Sequence, residues 1–310
     1  MTGPRPVVAG EPLAAPGAVA GAIYDLGYRG YDGPRLGRGA AVATLFWHSL
    51  RAAFGWGRSG RSKIVPWGLA AFGLIPAAIT TAVAALVPPE AGAALPFTYD
   101  NYLSNIWTIL ALFVAAQAPE LVSGDQRHRV LSLYFSHALA RSDYALAKLA
   151  AMVAAVFLVG FAPMLLLLVG SILVTADVPA ALGDQLENVP QVVLAPLIYA
   201  IPGASLGLAI AAWTPRRAYA TGAIIAVFVV TAATAGILEE ATRGRLSDWA
   251  QLVNPFVAAD GTRDLLVGEP NFESAASRTS LAPWIFGAWT LLLAAASTVA
   301  VLWRYRRIAA

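Results

Sequence analysis

Six apolar stretches of bilayer length constrain this chain more than any other feature it carries. A hydrocarbon core about 30 Å thick takes roughly 20 residues of helix to cross. Ile64 to Val87, Tyr102 to Pro119, Tyr144 to Ala176, Val189 to Trp213, Ala218 to Leu238 and Leu281 to Trp303 meet or approach that length. With 58% hydrophobic and 13% charged residues and a mean hydropathy of +0.64, the chain lies far from the composition of a soluble domain. The expected fold class is an all-α polytopic membrane protein with six transmembrane helices.

Six spans place both termini on one side, and the positive charges say which. Of the 21 Lys and Arg residues, 17 fall in the segment up to Lys63, in the 120–148 insert, at Arg216 and Arg217, and after the last span. The opposite loops hold Arg243, Arg245, Arg263 and Arg278 against twelve acids, among them Glu90, Asp100, Glu239 and Glu240. Basic residues near span ends favour the cytoplasmic side, so both termini and the insert are expected in the cytoplasm of a cell whose inner membrane holds the spans. No signal-peptide pattern precedes them, and the N-terminus reads as retained. The absence of Cys closes disulfide, thiol-nucleophile and Cys–metal chemistry.

Residues 1–63 read as a cytoplasmic strap followed by an interfacial helix. The strap, rich in Gly and Pro and carrying YDLGYRGYDGPRLGR at Tyr24 to Arg38, is either a partner surface or a mobile tail. Gly39 to Phe54 then sets Val42, Phe46, Leu50 and Phe54 at four-residue spacing, with His48, Ser49 and Arg51 opposite. That helix is amphipathic and too polar to span. His48 lacks a neighbouring His or acid with which to share a metal.

Within the spans, Asn105, Thr108 and Gln117 are the conspicuous polar residues of the second. Intramembrane polar groups turn towards protein or a cavity, which makes these three either helix-packing contacts or the lining of a substrate path. Gly203, Ser205 and Gly207 match the GxSxG of a hydrolase nucleophile elbow. Their place inside an apolar span argues for close helix packing instead. Some forty residues from Glu239 to Leu281 form an external segment, where Asn254-Pro255 and Gly261 mark short helices that rest on or dip into the outer leaflet.

Between the second and third spans lies the amphipathic insert of residues 120–143. Pro119 and Gly124 are expected to break the second span, and Ser123 with Gln126 fits a capping box opening a new helix. Val130, Leu131, Tyr134 and Phe135 give that helix an apolar stripe after the cations Arg127 and Arg129. The insert is either a solvated loop helix or a surface for a partner. The chain has no GxxxxGK[ST] phosphate loop, no HExxH and no acid cluster inside a span. It is therefore not expected to be an enzyme, a proton-coupled secondary transporter or a nucleic-acid binder.

The order of elements resembles the type 2 ABC exporter permeases: interfacial helix, two spans, amphipathic insert, three spans, external helices, last span. The specific likeness is APELVSGDQRHRVLSLYFSHALARSDYALAKL, Ala118 to Leu149, with its acid, basic patch, Leu-rich helix and a Lys before the third span. In that family the segment is the coupling helix that docks on a nucleotide-binding ATPase subunit. The resemblance implies no cofactor in this chain, ATP and Mg bound by the partner ATPase, and pairing with a second permease copy or a homologue. It makes Glu120, Ser123, Asp125, Arg127 and Arg129 candidate ATPase contacts and Asn105, Thr108 and Gln117 candidate path residues. A force-transmitting or sensor partner of an ATPase is the alternative the same features allow, with a secondary transporter the more remote one. The strap of residues 1–38 is longer than the family pattern and leaves its own role open.

Overall fold

The computed structural model describes residues 33, 36–87, 95–128, 130–136, 139–175, 177–242, 245–267 and 276–307 of the 310-residue chain. Two units result, residues 1–35 and Leu36–Ala310, and every element below belongs to the second. Apart from residues 33 and 36–38, the strap lies outside the described residues, as do Arg129 and residues 308–310 of the C-terminal tail.

Among the described residues all regular structure is helical: α1 (Arg38–Ala53), α2 (Arg61–Leu86), α3 (Tyr102–Arg127), α4 (Leu131–Phe135), α5 (Arg141–Val174), α6 (Val178–Leu186), α7 (Val189–Ala212), α8 (Arg217–Ala241), α9 (Arg245–Ala250), a 3₁₀ turn (Gln251–Val253), α10 (Pro255–Leu266) and α11 (Pro283–Arg307). Six of them, α2, α3, α5, α7, α8 and α11, are long and apolar enough to cross a membrane. The chain is a membrane protein of all-α class. Large apolar side chains such as Ile64, Phe72 and Ile75 on α2, Val229 and Ile237 on α8, and Leu291 and Val299 on α11 are exposed. A water-facing monomer would not tolerate so continuous an apolar surface, whereas lipid accepts it.

Helices α3 and α7 are the buried centre, and α2, α8 and α11 stand outside them. Close approach at the centre depends on Gly207 of α7. A Cβ built there would lie 2.2 Å from Val114 Cγ1 of α3, so only Gly lets the two helices meet at this level. Ser205 donates to the Pro202 carbonyl of its own helix at 3.1 Å, a packing role in line with the small-residue reading.

Prolines lie inside α2, α3, α5 and α7 without ending them. At Pro76 in α2, the buried hydroxyl of Tyr102 enters the backbone ladder. It accepts from Ala77 N–H at 3.2 Å and donates to the Gly73 carbonyl, bridging a pair that would otherwise bond directly.

Three expectations are corrected. The second span does not end near Pro119: α3 continues for 26 residues to Arg127. Ser123 and Gln126 are therefore interior residues of α3, not a capping box. Ser123 Oγ donates to the Thr214 carbonyl at 2.9 Å, and Gln126 Nε2 donates to the Ala212 carbonyl at 2.9 Å and to Tyr305 Oη at 3.1 Å. These contacts outside the helix hold its last turns where Gly124 alone would favour fraying. What remains of the insert's helix is the five-residue α4. Finally, Ser49, expected on the polar side of α1, is fully buried with Leu45, Leu50 and Ala53, because α1 lies against α5 and α3.

At the end of the bundle opposite α4, Gln191 Nε2 donates to Asp100 at 2.5 Å and Tyr99 Oη to Gln185 at 2.8 Å. There the chain between α8 and α11 turns inward. Phe256, at the start of α10, packs on Trp107, Tyr199 and Phe228 and faces Gly203. Since Gly203 is about 21 Å along α7 from Val189, the α9–α10 segment reaches the middle of that helix.

Candidate functional site: the charged end of the bundle

The charges of this end converge on the last turns of α3, which five other parts of the fold grip. Glu120, with a side chain 14% exposed, pairs with Arg58 from the α1–α2 turn and with Arg217 at the start of α8. Ser123 and Gln126 reach the α7–α8 turn and α11 as described above. Asp125 Oδ2 lies 2.9 Å from Lys148 Nζ of α5 and accepts from Tyr144 Oη at 2.7 Å. Lys148 is almost wholly buried. Asp125 is thus the counter-charge that lets an ammonium sit inside the bundle.

Around that core lies a second ring of contacts. Arg38 of α1 makes a two-pronged pair with Asp143 at the start of α5, 2.6 Å on each arm. Such fork-to-fork pairing fixes orientation as well as distance. Arg141 donates to the Arg306 carbonyl at 3.0 Å and lies 5.7 Å over the Phe135 ring. Tyr134 of α4 packs tilted against Tyr144 at 5.5 Å and Phe135 meets it edge-on at 6.1 Å, and Tyr144 meets Tyr305 edge-on at 5.0 Å. Burial first, and the charge of Asp125 second, push the Tyr134 phenol above its ordinary range. Through these rings α4 is bonded to the same core that holds α3.

Of the residues named from sequence for a partner ATPase, three are engaged within the chain: Glu120, Ser123 and Asp125. Arg127 is exposed, with His128 beside it, and Leu133 of α4 is 65% exposed. Arg129 lies outside the described residues. The three path residues are not brought together. Asn105 and Thr108 share an exposed face of α3, and Asn105 Nδ2 donates back to the Asn101 carbonyl at 2.6 Å. Gln117, only 4% exposed, is nine residues beyond Thr108, which at 3.6 residues per turn turns it to the other side of the helix.

Sequence reasoning missed the partners that matter most here. A lysine at the end of an apolar span ordinarily reaches for the interface, but Tyr144 one turn before it and the facing Asp125 hold Lys148 inside. A second buried ionic group lies in the α9–α10 segment. Arg263, fully buried, pairs with Asp264 and stands 3.5 Å from Asp260, which accepts from Tyr199 Oη at 2.7 Å. The spacing of Asp260, Arg263 and Asp264, one helical turn, was the available signal. In a stretch assigned to an external segment, those charges looked solvated. Among the described residues no group of three or more His, Asp or Glu side chains is placed to hold a metal ion. Comparison with protein-family models gives no match, and comparison with curated proteins gives none either.

Proposed function

We propose that this chain is the membrane-spanning permease subunit of an ATP-driven exporter of the type 2 ABC class. A separate ATPase subunit binds ATP and Mg, docks on the cytoplasmic face and drives the switch between inward- and outward-open forms. The single observation that carries this reading is the unbroken run of α3 into a charged hub. An exposed corner at Arg127 and α4 is joined by Glu120, Ser123, Asp125 and Gln126 to α5, α8, α11 and two turns. A push on that corner reaches the other spans through bonded contacts rather than through a flexible loop. The apolar character of the spans favours a hydrophobic or amphipathic cargo, and the pairing is with a second copy or a homologous permease in the inner membrane.

In this reading α4 with Arg127 acts as the coupling element, and α1 lies in the cytoplasmic interface. Of the residues first named, Arg127 keeps the role of grip and the exposed side of α4 joins it, since Glu120, Ser123 and Asp125 serve the hub. A second reading keeps the ATPase and drops the cargo, the chain serving to transmit force; the outward placement of Asn105 and Thr108 favours it. Co-purification under native conditions tests both. Recovery of a Walker-motif subunit with the wild type, and its loss with Arg127→Glu, is the expected result. Failure to recover any such subunit removes the ABC reading. Stimulation of ATP hydrolysis by amphipathic compounds separates transport from force transmission.

A further inference from the structure

An apolar cavity of about 530 Å³ opens between α1, α2 and α5. Its outer end is ringed by aromatic side chains: Trp47 and Phe54 of α1, Trp56 of the turn, and Trp67 of α2. From there it follows one face of α2, through Ala70 and Ala71 to Leu74, and ends against Ala162 of α5. Trp67 to Leu74 spans about 10 Å of helix. The one charged side chain on its wall is Arg51, in the last turn of α1. Lys63, one turn before Trp67, sits on the same face of α2 and extends the positive end. Arg58, by contrast, is occupied by Glu120. Neither Arg51 nor Lys63 has a carboxylate partner among the described residues.

A long apolar slot, a tryptophan collar and two uncompensated cations at one end match one kind of molecule. We propose that the cavity is a binding site for a single anionic phospholipid. An acyl chain fills the slot, the glycerol region lies at the level of Trp47, Trp56 and Trp67, and the headgroup phosphate is held by Arg51 and Lys63. Tryptophans favour that level of a bilayer, and basic pockets beside membrane helices take anionic headgroups. The cavity's volume falls in the range of small-molecule sites. Its geometry is set by the turn from α1 to α2. Gly55 there has φ +73°, and a Cβ on it would meet the Ser62 backbone at 2.7 Å. The site rests on membrane insertion alone and holds whether or not the chain moves a cargo.

The test uses the full chain reconstituted in vesicles of phosphatidylcholine, or of phosphatidylcholine with an equal amount of phosphatidylglycerol, then extracted in mild detergent. Native mass spectrometry counts the lipid that survives extraction. Wild type is expected to keep one phosphatidylglycerol and no phosphatidylcholine. Replacing both cations (Arg51→Gln with Lys63→Gln) removes two charges, each worth about fivefold in attraction to an anionic lipid, and weakens retention about 25-fold. Ala162→Trp, which fills the slot with the cations intact, abolishes it. Both variants are checked for unchanged helicity and elution. As a readout on unmodified protein, phosphatidylglycerol brominated on its chains quenches tryptophan emission more than brominated phosphatidylcholine does. Equal retention or equal quenching by the two lipids, or retention unchanged in either variant, overturns the proposal.

Discussion

Asp125 and Lys148 allow a quantitative check on how the charged hub is held. The pair is 2.9 Å apart, with side chains 22% and 6% exposed. Breaking a buried pair by removing one member costs about 3–5 kcal/mol, while replacing both together costs far less. Asp125→Asn strands the ammonium with little beyond the Tyr144 ring, 5.4 Å away, and should cost about 3 kcal/mol, the low end because Asp125 keeps some water. Lys148→Met leaves a carboxylate that still accepts from Tyr144 and is partly hydrated, a loss of about 2 kcal/mol. The double variant should also lose only about 2 kcal/mol, a coupling of about 3 kcal/mol between the sites. At roughly 2–4 °C per kcal/mol, Asp125→Asn lowers the thermal midpoint by about 6–12 °C. The assay is the fraction of detergent-purified protein still monodisperse after heating, compared at one heating rate because membrane proteins unfold irreversibly. A double variant whose loss equals the sum of the two singles would show that the charges do not act as a pair, and would refute the reasoning.

Other predictions follow from the packing and the titrating groups. Gly207→Ala drives a methyl into Val114, whose branched side chain has little rotamer freedom, and should cost about 1–3 kcal/mol; Val114→Ala in the same background should restore most of it in the same heating assay. Arg263→Met takes the buried cation away from Asp260 and Asp264 and should cost about 3–5 kcal/mol, a loss that Asp264→Asn added to it reduces. The Tyr99 and Tyr134 phenols titrate above their ordinary value of 10.0, in both cases chiefly through burial. A phenol raised in the fold favours the fold while neutral, so stability is full below pH 10.0 and falls as pH climbs past it, when the unfolded chain ionises first. Tyr134→Phe should flatten that alkaline decline, measured as thermal midpoint against pH; an unaltered slope counts against the assignment.

Hydropathy made the six spans legible because a bilayer demands length and apolarity from each segment independently, and neither depends on the neighbours. The end of α3 was not legible for the opposite reason. Pro119 and Gly124 are local break signals, but Ser123 and Gln126 find their acceptors on Thr214, Ala212 and Tyr305, some 90 to 180 residues away in the chain. No window of sequence contains both sides of that balance. The hub was half visible: the acids and cations of 120–148 stood out, but their chemistry was read as free for a partner when Glu120 and Asp125 are satisfied at home. Ser49 shows the same limit at small scale, since a hydroxyl on an expected polar face is buried by helices that periodicity cannot place. The α10 ionic group was hidden by its surroundings. Arg263 and its two acids look soluble in a long connection, and only the inward turn beside Tyr199 reveals them as interior.

The phenol of Tyr102, lodged at Pro76, gives α2 a joint whose stiffness is borrowed. Proline already denies the helix one ladder bond, and the next rung, from Ala77 to Gly73, is completed through a hydroxyl that belongs to α3. The two halves of α2 are therefore locked only while α3 stays in place. When α3 moves far enough to draw that oxygen out, the Pro76 rung stays missing and the Ala77–Gly73 rung has to close directly, so the backbone of α2 must readjust at its middle. Rigidity at that point is a contract between helices, and either one can end it.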